Sequence, residues 1–126
     1  MSVAMTTDAV IERRKTVTRR KGWWLDRNGR RLLRPGDTLT LCRKVQGRKP
    51  GEPIERLAEV EVTRVSREPL YWLSGRYPGA PMEVKFEGFP GMDPAEFVQR
   101  FFIDAQGMSH DDEVTRIEWR YLDVTP

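Results

Sequence analysis

The chain has 126 residues, 38% of them hydrophobic and 33% charged, with a formal net charge of +3, which fits one domain with a hydrophobic core and a strongly charged surface. It contains no apolar run of the length that a membrane helix needs and no basic start followed by an apolar stretch, so we expect a cytoplasmic protein without a membrane span or a secretion signal. The single cysteine and single histidine exclude an internal disulfide and a structural zinc site, and we expect neither a metal nor a cofactor.

The positive charge is concentrated in the first half of the chain. Residues 1–63 contain 15 Lys and Arg against 8 Asp and Glu, a net charge of +7, whereas residues 64–126 contain 7 against 11, a net charge of −4. Between Arg13 and Arg34, ten basic residues face only Asp26. This density favours a polyanionic partner, and a basic face exposed to solvent with no partner is an equally good interpretation. Arginine outnumbers lysine 17 to 5, which is typical of a GC-rich genome and fits a bacterium or a bacteriophage.

The N-terminal pattern predicts a short helix followed by a strand. Residues 1–6 are expected to form a flexible tail. Thr7 or Asp8 provides an N-cap for a helix that ends near Arg14. The β-branched residues 16–18 stop that helix and begin a strand.

The middle of the chain predicts two strands separated by turns. Residues 28–29, an Asn-Gly pair, indicate a tight turn. A second turn at residues 35–37 leads into a strand over residues 38–45. The polar stretch 46–53 is then a loop, and the alternating pattern of residues 57–65 predicts a half-buried antiparallel strand.

The C-terminal part predicts a helix and a last strand. Residues 68–81 are interpreted as irregular, with a short apolar piece at residues 84–89. Asp93 and the Pro and Glu that follow it begin a helix that ends near Gly107. Its apolar stripe, which we assign to the core and not to a ligand site, consists of Phe97, Val98, Phe101, Phe102 and Ala105. The last strand is expected over residues 114–122.

These elements predict a single domain over residues 1–126 with a mixed α+β, mainly β fold. The strands are short and antiparallel, and there is no strand-helix-strand repeat. A parallel sheet is therefore excluded, and a small barrel or sandwich closed by helices is expected.

Three segments, taken together, resemble the ASCH domains of the PUA-like superfamily. Residues 12–20 (ERRKTVTRR) are similar to the basic opening motif of that family, and residues 34–39 (RPGDTL) to its following turn and strand. Residues 87–89 (EGF), followed by the helix that begins after Asp93, are similar to its third signature. The segments occur in the family's order within residues 7–122.

This resemblance implies a PUA-like antiparallel β-barrel of about five or six strands with two flanking helices, and a cleft between barrel and helices. It also implies a role near RNA or nucleobases, with RNA preferred to DNA. A small bacterial subgroup of the family hydrolyses N4-acetylcytidine with a lysine, a threonine and a glutamate, and the motif places these at Lys15, Thr18 and Glu87. The family's glycine two residues before the motif lysine is Arg13 here.

The proposed roles of Lys15 and Thr18 require a particular backbone. Side chains three positions apart on one regular strand point to opposite faces, so the two share a pocket only if a helix-to-strand transition falls between them. Burial near Arg14, Arg19 or Arg20 would lower the pKa of the lysine, which would then take the threonine proton. Glu87 would protonate the leaving amine. Without the resemblance, a surface lysine, a strand-forming threonine and a salt-bridged glutamate are the simpler interpretations.

The sequence leaves three functional hypotheses. The first is a nucleic-acid or modified-nucleotide binding domain with a basic cleft. Of its two adjacent tryptophans, one is expected in the core and the other in the cleft or at the surface. The alternatives are an amidohydrolase that acts on an acylated pyrimidine nucleoside and a protein-interaction adaptor. The residues assigned to nucleic-acid binding are Arg14, Arg19, Arg20, Lys21, Trp23, Trp24, Arg30 and Arg31.

Overall fold

The computed structural model describes residues 1–22, 24, 28–30, 32–43, 51, 53–75 and 77–123. In chain order its elements are helix α1 (Thr7–Ile11), strands β1 (Val17–Lys21), β2 (Thr38–Cys42) and β3 (Arg56–Pro69), helices α2 (Leu70–Ser74), α3 (Ala80–Phe86) and α4 (Pro94–Val98), and strand β4 (Glu113–Tyr121). A 3-10 turn, Ala4–Thr6, precedes α1, and a π-helical segment, Gln99–Asp104, continues α4. Within the described ranges, every helix is too short and too polar to cross a membrane.

The strands form one antiparallel sheet in the order β1-β4-β3-β2. At the centre, Ile117 of β4 lies opposite Thr18 of β1 and Val65 of β3. Ser2 forms a parallel bridge with Cys42 of β2, and the guanidinium of Arg20 in β1 donates to the Ser2 carbonyl at 2.8 Å. Because β1 and β2 are the two edges of the sheet, the Ser2 segment links them through these two contacts.

The mixed α+β architecture with antiparallel strands is confirmed, and the numbers of elements differ from the prediction. The described residues contain four strands and four α-helices. Helix α2 lies in the segment 68–81 that was predicted to be irregular, and α3 runs from the end of that segment into the short apolar piece at residues 84–89. Proline explains the error: Pro69 caps α2 in an extended conformation and Pro81 lies in the first turn of α3, where a missing N–H is tolerated.

Two strand boundaries also differ from the prediction, and one helix start is confirmed. Strand β3 continues to Pro69, four residues beyond the predicted end, and β2 ends at Cys42. Residues 44–50, which include most of the predicted loop, lie outside the described residues. The Asp93 side chain accepts a hydrogen bond from the Glu96 N–H at 3.1 Å, as expected for the N-cap of α4.

The flexible tail predicted for residues 1–6 is not observed. The Val3 N–H donates to the Cys42 carbonyl at 2.8 Å, and the Cys42 N–H donates to the Met1 carbonyl at 2.8 Å. Val3 is buried against the sheet. The segment is ordered because the edge of β2 offers backbone groups that would otherwise lack partners.

Two hydrophobic clusters stabilise the fold. The first lies on the sheet and is built from β2, β3 and β4, with buried Leu41, Val60 and Trp119 among its members. The second joins α2, α3 and the α4 helix to the start of β4. The single cysteine, Cys42, is a buried free thiol.

We predict that Ile117→Ala destabilises the protein by about 2–5 kcal/mol, because Ile117 is fully buried in the central strand and truncation leaves a cavity. Ile11→Ala is the matched control, since Ile11 is 50% exposed on α1 and its truncation should cost less than about 0.5 kcal/mol. Urea unfolding followed by circular dichroism measures both. Similar losses in the two variants would contradict the assignment of β4 to the centre of the core.

Candidate active site

Lys15 lies on the connection between α1 and β1. Helix α1 ends at Ile11 and β1 begins at Val17, so the chain changes from helix to strand before it reaches Thr18. The side chains of Lys15 and Thr18 border the same cavity. This is the arrangement that the predicted transition allows, although the helix ends earlier than expected.

Arg13 adopts the left-handed backbone that its position requires. Its φ of 61° is one that glycine adopts freely and that costs other residues about 1–2 kcal/mol. The arginine side chain provides compensating contacts. It donates to the Val10 carbonyl at 2.9 Å, pairs with Asp123 at 2.6 Å and stacks over the Tyr121 ring at 5.2 Å. An arginine can therefore occupy the position where ASCH domains usually have glycine.

The backbone of Lys15 is held by β4. Its carbonyl accepts hydrogen bonds from the indole N–H of Trp119 at 3.0 Å and from the Tyr121 hydroxyl. The next residue, Thr16, donates its N–H to the Phe86 carbonyl at 2.9 Å. Strand β4 and helix α3 thus fix the direction in which the lysine side chain leaves the backbone.

Lys15 and Glu87 are in contact although they are 72 positions apart in the chain. The Lys15 ammonium donates to the Glu87 carbonyl at 2.6 Å and lies 3.4 Å from its carboxylate oxygen Oε1. The other carboxylate oxygen, Oε2, accepts from Arg19 at 2.9 Å. Lys15, Thr18 and Glu87 are only 3%, 4% and 3% exposed. The Thr18 hydroxyl has no hydrogen bond to any residue that the structure describes.

Burial lowers the pKa of Lys15 below its ordinary value of 10.5. The charge of Glu87 opposes this change, and the positive charges of Arg20 and Arg19 reinforce it. The lowered pKa follows the sequence-based expectation, with one correction. Arg14 is exposed and pairs with Glu12 at 2.6 Å, and it does not contribute to the shift.

Glu87 is positioned by the end of α3 and by the glycine that follows it. Gly88 has a φ of +105°, and a Cβ atom there would lie 3.1 Å from the Thr6 methyl and 3.2 Å from the Ala9 Cβ. A side chain at this position would therefore be strained and crowded. The Glu-Gly pair directs the carboxylate inward while the backbone passes close to α1.

The cavity has a volume of about 410 Å³ and lies where the two hydrophobic clusters meet. The N-terminal residues 2–6 form one wall, and the charged set around Glu87 forms another. Phe89, Phe97 and Phe101 also line the cavity, and their ring centroids are 4.8–5.5 Å apart. The cavity therefore combines a polar side with an aromatic side.

The α4 stripe, which we assigned to the core, lies in the second hydrophobic cluster and also reaches the cavity. Phe97, Val98 and Phe102 are buried in the second cluster, but Phe97, Phe102, Phe101 and Ala105 also border the cavity. The π-helical segment accounts for part of this. A π-helix has more residues per turn than an α-helix, and three consecutive residues, Arg100 to Phe102, all line the cavity.

The described residues among those assigned to nucleic-acid binding differ in their surroundings. Arg19 and Arg20 border the cavity, and Arg19 is buried in ion pairs with three glutamates. Trp24 is half-buried against the first cluster, as expected for one of the two tryptophans. The exposed members among the described residues are Arg14, Lys21 and Arg30. Trp23 and Arg31 lie outside the described residues.

Sequence analysis missed a second group of buried charges behind Glu87. Glu68 and Glu83 each lie 3.3 Å from the Arg19 guanidinium. Glu83 also pairs with Arg116 at 3.1 Å, and Arg116 pairs with Glu118 at 2.8 Å. Arg116 alternates along β4 with the buried residues Thr115 and Ile117, and charged residues in such an alternating pattern are usually solvated. Here helix α3 covers the side of β4 that carries Arg116, and the charged side chains form a partly buried network of ion pairs.

Comparison with solved structures shows which fold the chain has. A protein of Enterococcus faecalis assigned to the family DUF984 aligns with a TM-score of 0.61 at 14% identity, over 96% of this chain and 72% of the other. The ASCH domain from Lactobacillus crispatus aligns with a TM-score of 0.52 at 14% identity, over 93% of this chain and 70% of the other. Neither a protein-family model nor a curated protein matches the sequence. The chain therefore has an ASCH-type fold, as its motifs suggested.

Proposed function

We propose that the protein is an amidohydrolase that removes an acyl group from the exocyclic amine of a cytidine-type substrate. The observation that carries this proposal is the convergence of buried Lys15, Thr18 and Glu87 on one cavity. The position of these residues in the ASCH-like motifs supports the same reaction. A volume of about 410 Å³ falls within the range of about 300–1,000 Å³ that is usual for small-molecule sites.

The contacts of Lys15 suit it to act as a base. A lysine nitrogen has three bonding positions besides its own carbon, and Glu87 occupies two of them through its carbonyl and Oε1. In the neutral amine, the third position is a lone pair that is available for the Thr18 proton. The lowered pKa of Lys15 increases the fraction of neutral amine near physiological pH.

The reaction then follows from these contacts. The Thr18 oxygen attacks the acyl carbon while its proton passes to Lys15, and the carbon–nitrogen amide bond breaks. The proton moves from Lys15 to the adjacent Glu87 carboxylate and from there to the leaving exocyclic amine. Water then attacks the Thr18 ester, so that the acyl group leaves as a carboxylic acid and the threonine hydroxyl is restored.

The aromatic side of the cavity suits the base of such a substrate. Phe89 and Phe101 form a close ring pair at 4.8 Å, and both border the cavity. Stacking of a nucleobase on an aromatic side chain contributes about 1–3 kcal/mol. The base would then lie against the phenylalanines, with its acylated amine toward Thr18.

Nucleic-acid binding is the second candidate function. It is favoured by the net charge of +7 over residues 1–63 and by the exposure of Lys21 and Arg30. Internal ion pairs weaken it, because Arg13, Arg14 and Arg19 are all paired with carboxylates. We therefore favour a function in which the cavity binds one small ligand over one in which an extended surface binds nucleic acid.

We predict that Lys15→Met lowers kcat for N4-acetylcytidine hydrolysis by about 10²–10⁴-fold, because it removes the base while filling the same space. Thr18→Val, which removes only the hydroxyl, should abolish turnover. Release of cytidine, separated by chromatography, measures both, and Lys85→Met at an exposed position of α3 is the control. Absence of turnover by the native protein on a panel of acylated cytidines would refute the proposal, as would activity retained by both site variants.

We expect kcat/KM to rise with pH through one ionisation with a midpoint below 10.5, since only neutral Lys15 accepts the threonine proton. The same lowered pKa affects stability. Between the pKa of Lys15 in the folded state and 10.5, the unfolded chain binds the additional proton, so the free energy of unfolding should increase with pH there. Denaturant titrations of native protein, Lys15→Met and Lys85→Met test this. The rise should disappear in Lys15→Met alone, and its persistence would contradict the assignment.

For the second candidate, we predict a dependence on salt that a nucleoside hydrolase would not show. Binding to single-stranded RNA should weaken linearly in log affinity with log salt concentration, in proportion to the phosphates contacted. Lys21→Gln should reduce the slope by about one if that residue contacts a phosphate. Fluorescence titration at several salt concentrations measures the slope. An affinity for RNA that is absent or independent of salt would eliminate this candidate.

A further inference from the structure

We propose that the cavity contains an anion subsite formed by Arg20 and Arg100, and that its ligand carries a phosphate group. The substrate would then be a nucleotide and not a free nucleoside. The identity of the base in this inference rests on the proposed function. The anion subsite itself rests on the two arginines and can be tested without any hydrolysis.

The two neighbouring arginines of β1 have opposite environments. Arg19 is surrounded by carboxylates, at 2.9 Å from Glu87 and at 3.3 Å from both Glu68 and Glu83. Arg20 donates one hydrogen bond, to the Ser2 carbonyl at 2.8 Å, and forms no ion pair with any described residue. The Nε atoms of both are buried without a partner, but only Arg19 has its charge neutralised by direct contacts.

The environment of Arg20 is therefore unfavourable without a ligand. Burial lowers the pKa of Arg20 from its ordinary value, and only the more distant charge of Glu87 opposes that change. Arg20 is partly buried and has no direct counterion among the described residues, so an anion that enters the cavity would offset the cost of desolvating its charge. Because Arg20 borders the cavity, the counterion can come from a bound molecule.

Arg100 supplies a second guanidinium to the same cavity. It lies in the π-helical segment, is exposed, and contacts the Phe101 ring at 5.4 Å. It forms no ion pair within the part of the chain that the structure describes. Guanidinium groups bind phosphate through parallel N–H···O bonds, and a pair of them suits a doubly charged oxyanion.

The charges around the cavity also support an anion subsite. Among the described residues, the ionisable side chains that border it are four basic ones and one carboxylate, namely Lys15, Arg19, Arg20, Arg100 and Glu87, and the three arginines are charged even where Lys15 is neutral. Glu68 and Glu83 compensate Arg19 from behind and leave Arg20 and Arg100 without direct counterions. A neutral nucleoside has no anionic group to pair with this excess positive charge, whereas the phosphate of a nucleotide would pair with both arginines.

The phosphate could belong to a free nucleotide or to an RNA strand. We assign it to a free nucleotide, since a cavity of about 410 Å³ has the size of a site for one small ligand. The base would contact the phenylalanine wall, and the phosphate would lie between the two arginines.

The test compares the binding of cytidine 5′-monophosphate and cytidine by titration calorimetry. Both are products or product analogues, so catalysis does not interfere. We expect native protein to bind the nucleotide about tenfold to a hundredfold more tightly than the nucleoside. Arg20→Gln and Arg100→Gln should each lose most of that preference while retaining their affinity for cytidine. Arg43→Gln, at an exposed position paired with Glu55 and away from the cavity, should keep the preference.

Several results would overturn the subsite. These are equal affinity for nucleotide and nucleoside, no binding of either, or a preference that survives in both cavity variants. Arg100→Gln keeps the test valid if Arg20→Gln unfolds, because Arg100 is exposed. A short RNA containing cytidine is added as a further ligand, and tighter binding of that RNA than of the nucleotide would overturn the assignment to a free nucleotide.

The hydrolysis assay separates this inference from the proposed function. Selective, arginine-dependent binding of the nucleotide without turnover of any acylated cytidine would support the subsite and refute the hydrolase. Equal turnover of N4-acetylcytidine and its 5′-monophosphate, with equal affinities for their products, would support the hydrolase and refute the subsite.

Discussion

The buried carboxylate of Glu87 is the interaction on which the rest of the site depends. It accepts from Arg19 at 2.9 Å and lies 3.4 Å from the Lys15 nitrogen, and all three residues are buried. Burial of an unpaired charge costs roughly several kcal/mol, even after the surrounding protein relaxes. Without Glu87, two buried cations, Lys15 from the α1–β1 connection and Arg19 from β1, would lack the carboxylate that they share. The carboxylate therefore holds α3, β1 and the α1–β1 connection together.

A second layer of charge explains why a basic segment does not become a basic surface. Glu68 and Glu83 neutralise Arg19 from the side away from the cavity, and Glu83 also holds Arg116. These partners come from β3, α3 and β4, far from Arg19 in the chain. A count of charges along the sequence cannot detect such pairing. Arg20 is the exception, since its direct partner is a neutral carbonyl.

Predictions from local sequence patterns were correct for part of this fold. They failed where contacts between distant segments determine the structure. Asp93 caps its helix, and Lys15 and Thr18 share a cavity because the helix ends before the strand begins. The prolines misled the assignment of residues 68–81, because a proline that starts a helix looks the same in sequence as one that interrupts it. Burial of Arg116 and the use of α4 phenylalanines as a cavity wall depend on which elements pack together, and no local pattern contains that information.

The proposed anion subsite would also connect ligand binding to the protonation of Lys15. The positive charge of Arg20 helps to lower the pKa of the lysine, so an anion bound at Arg20 would weaken that effect. A ligand that fills the cavity also expels water, and the resulting desolvation lowers the pKa of the same lysine. These two effects oppose each other. Under the proposed hydrolysis, the net change in the pKa of Lys15 on binding of a phosphate-bearing substrate therefore depends on how completely its base fills the space beside the phenylalanines and excludes water from Glu87.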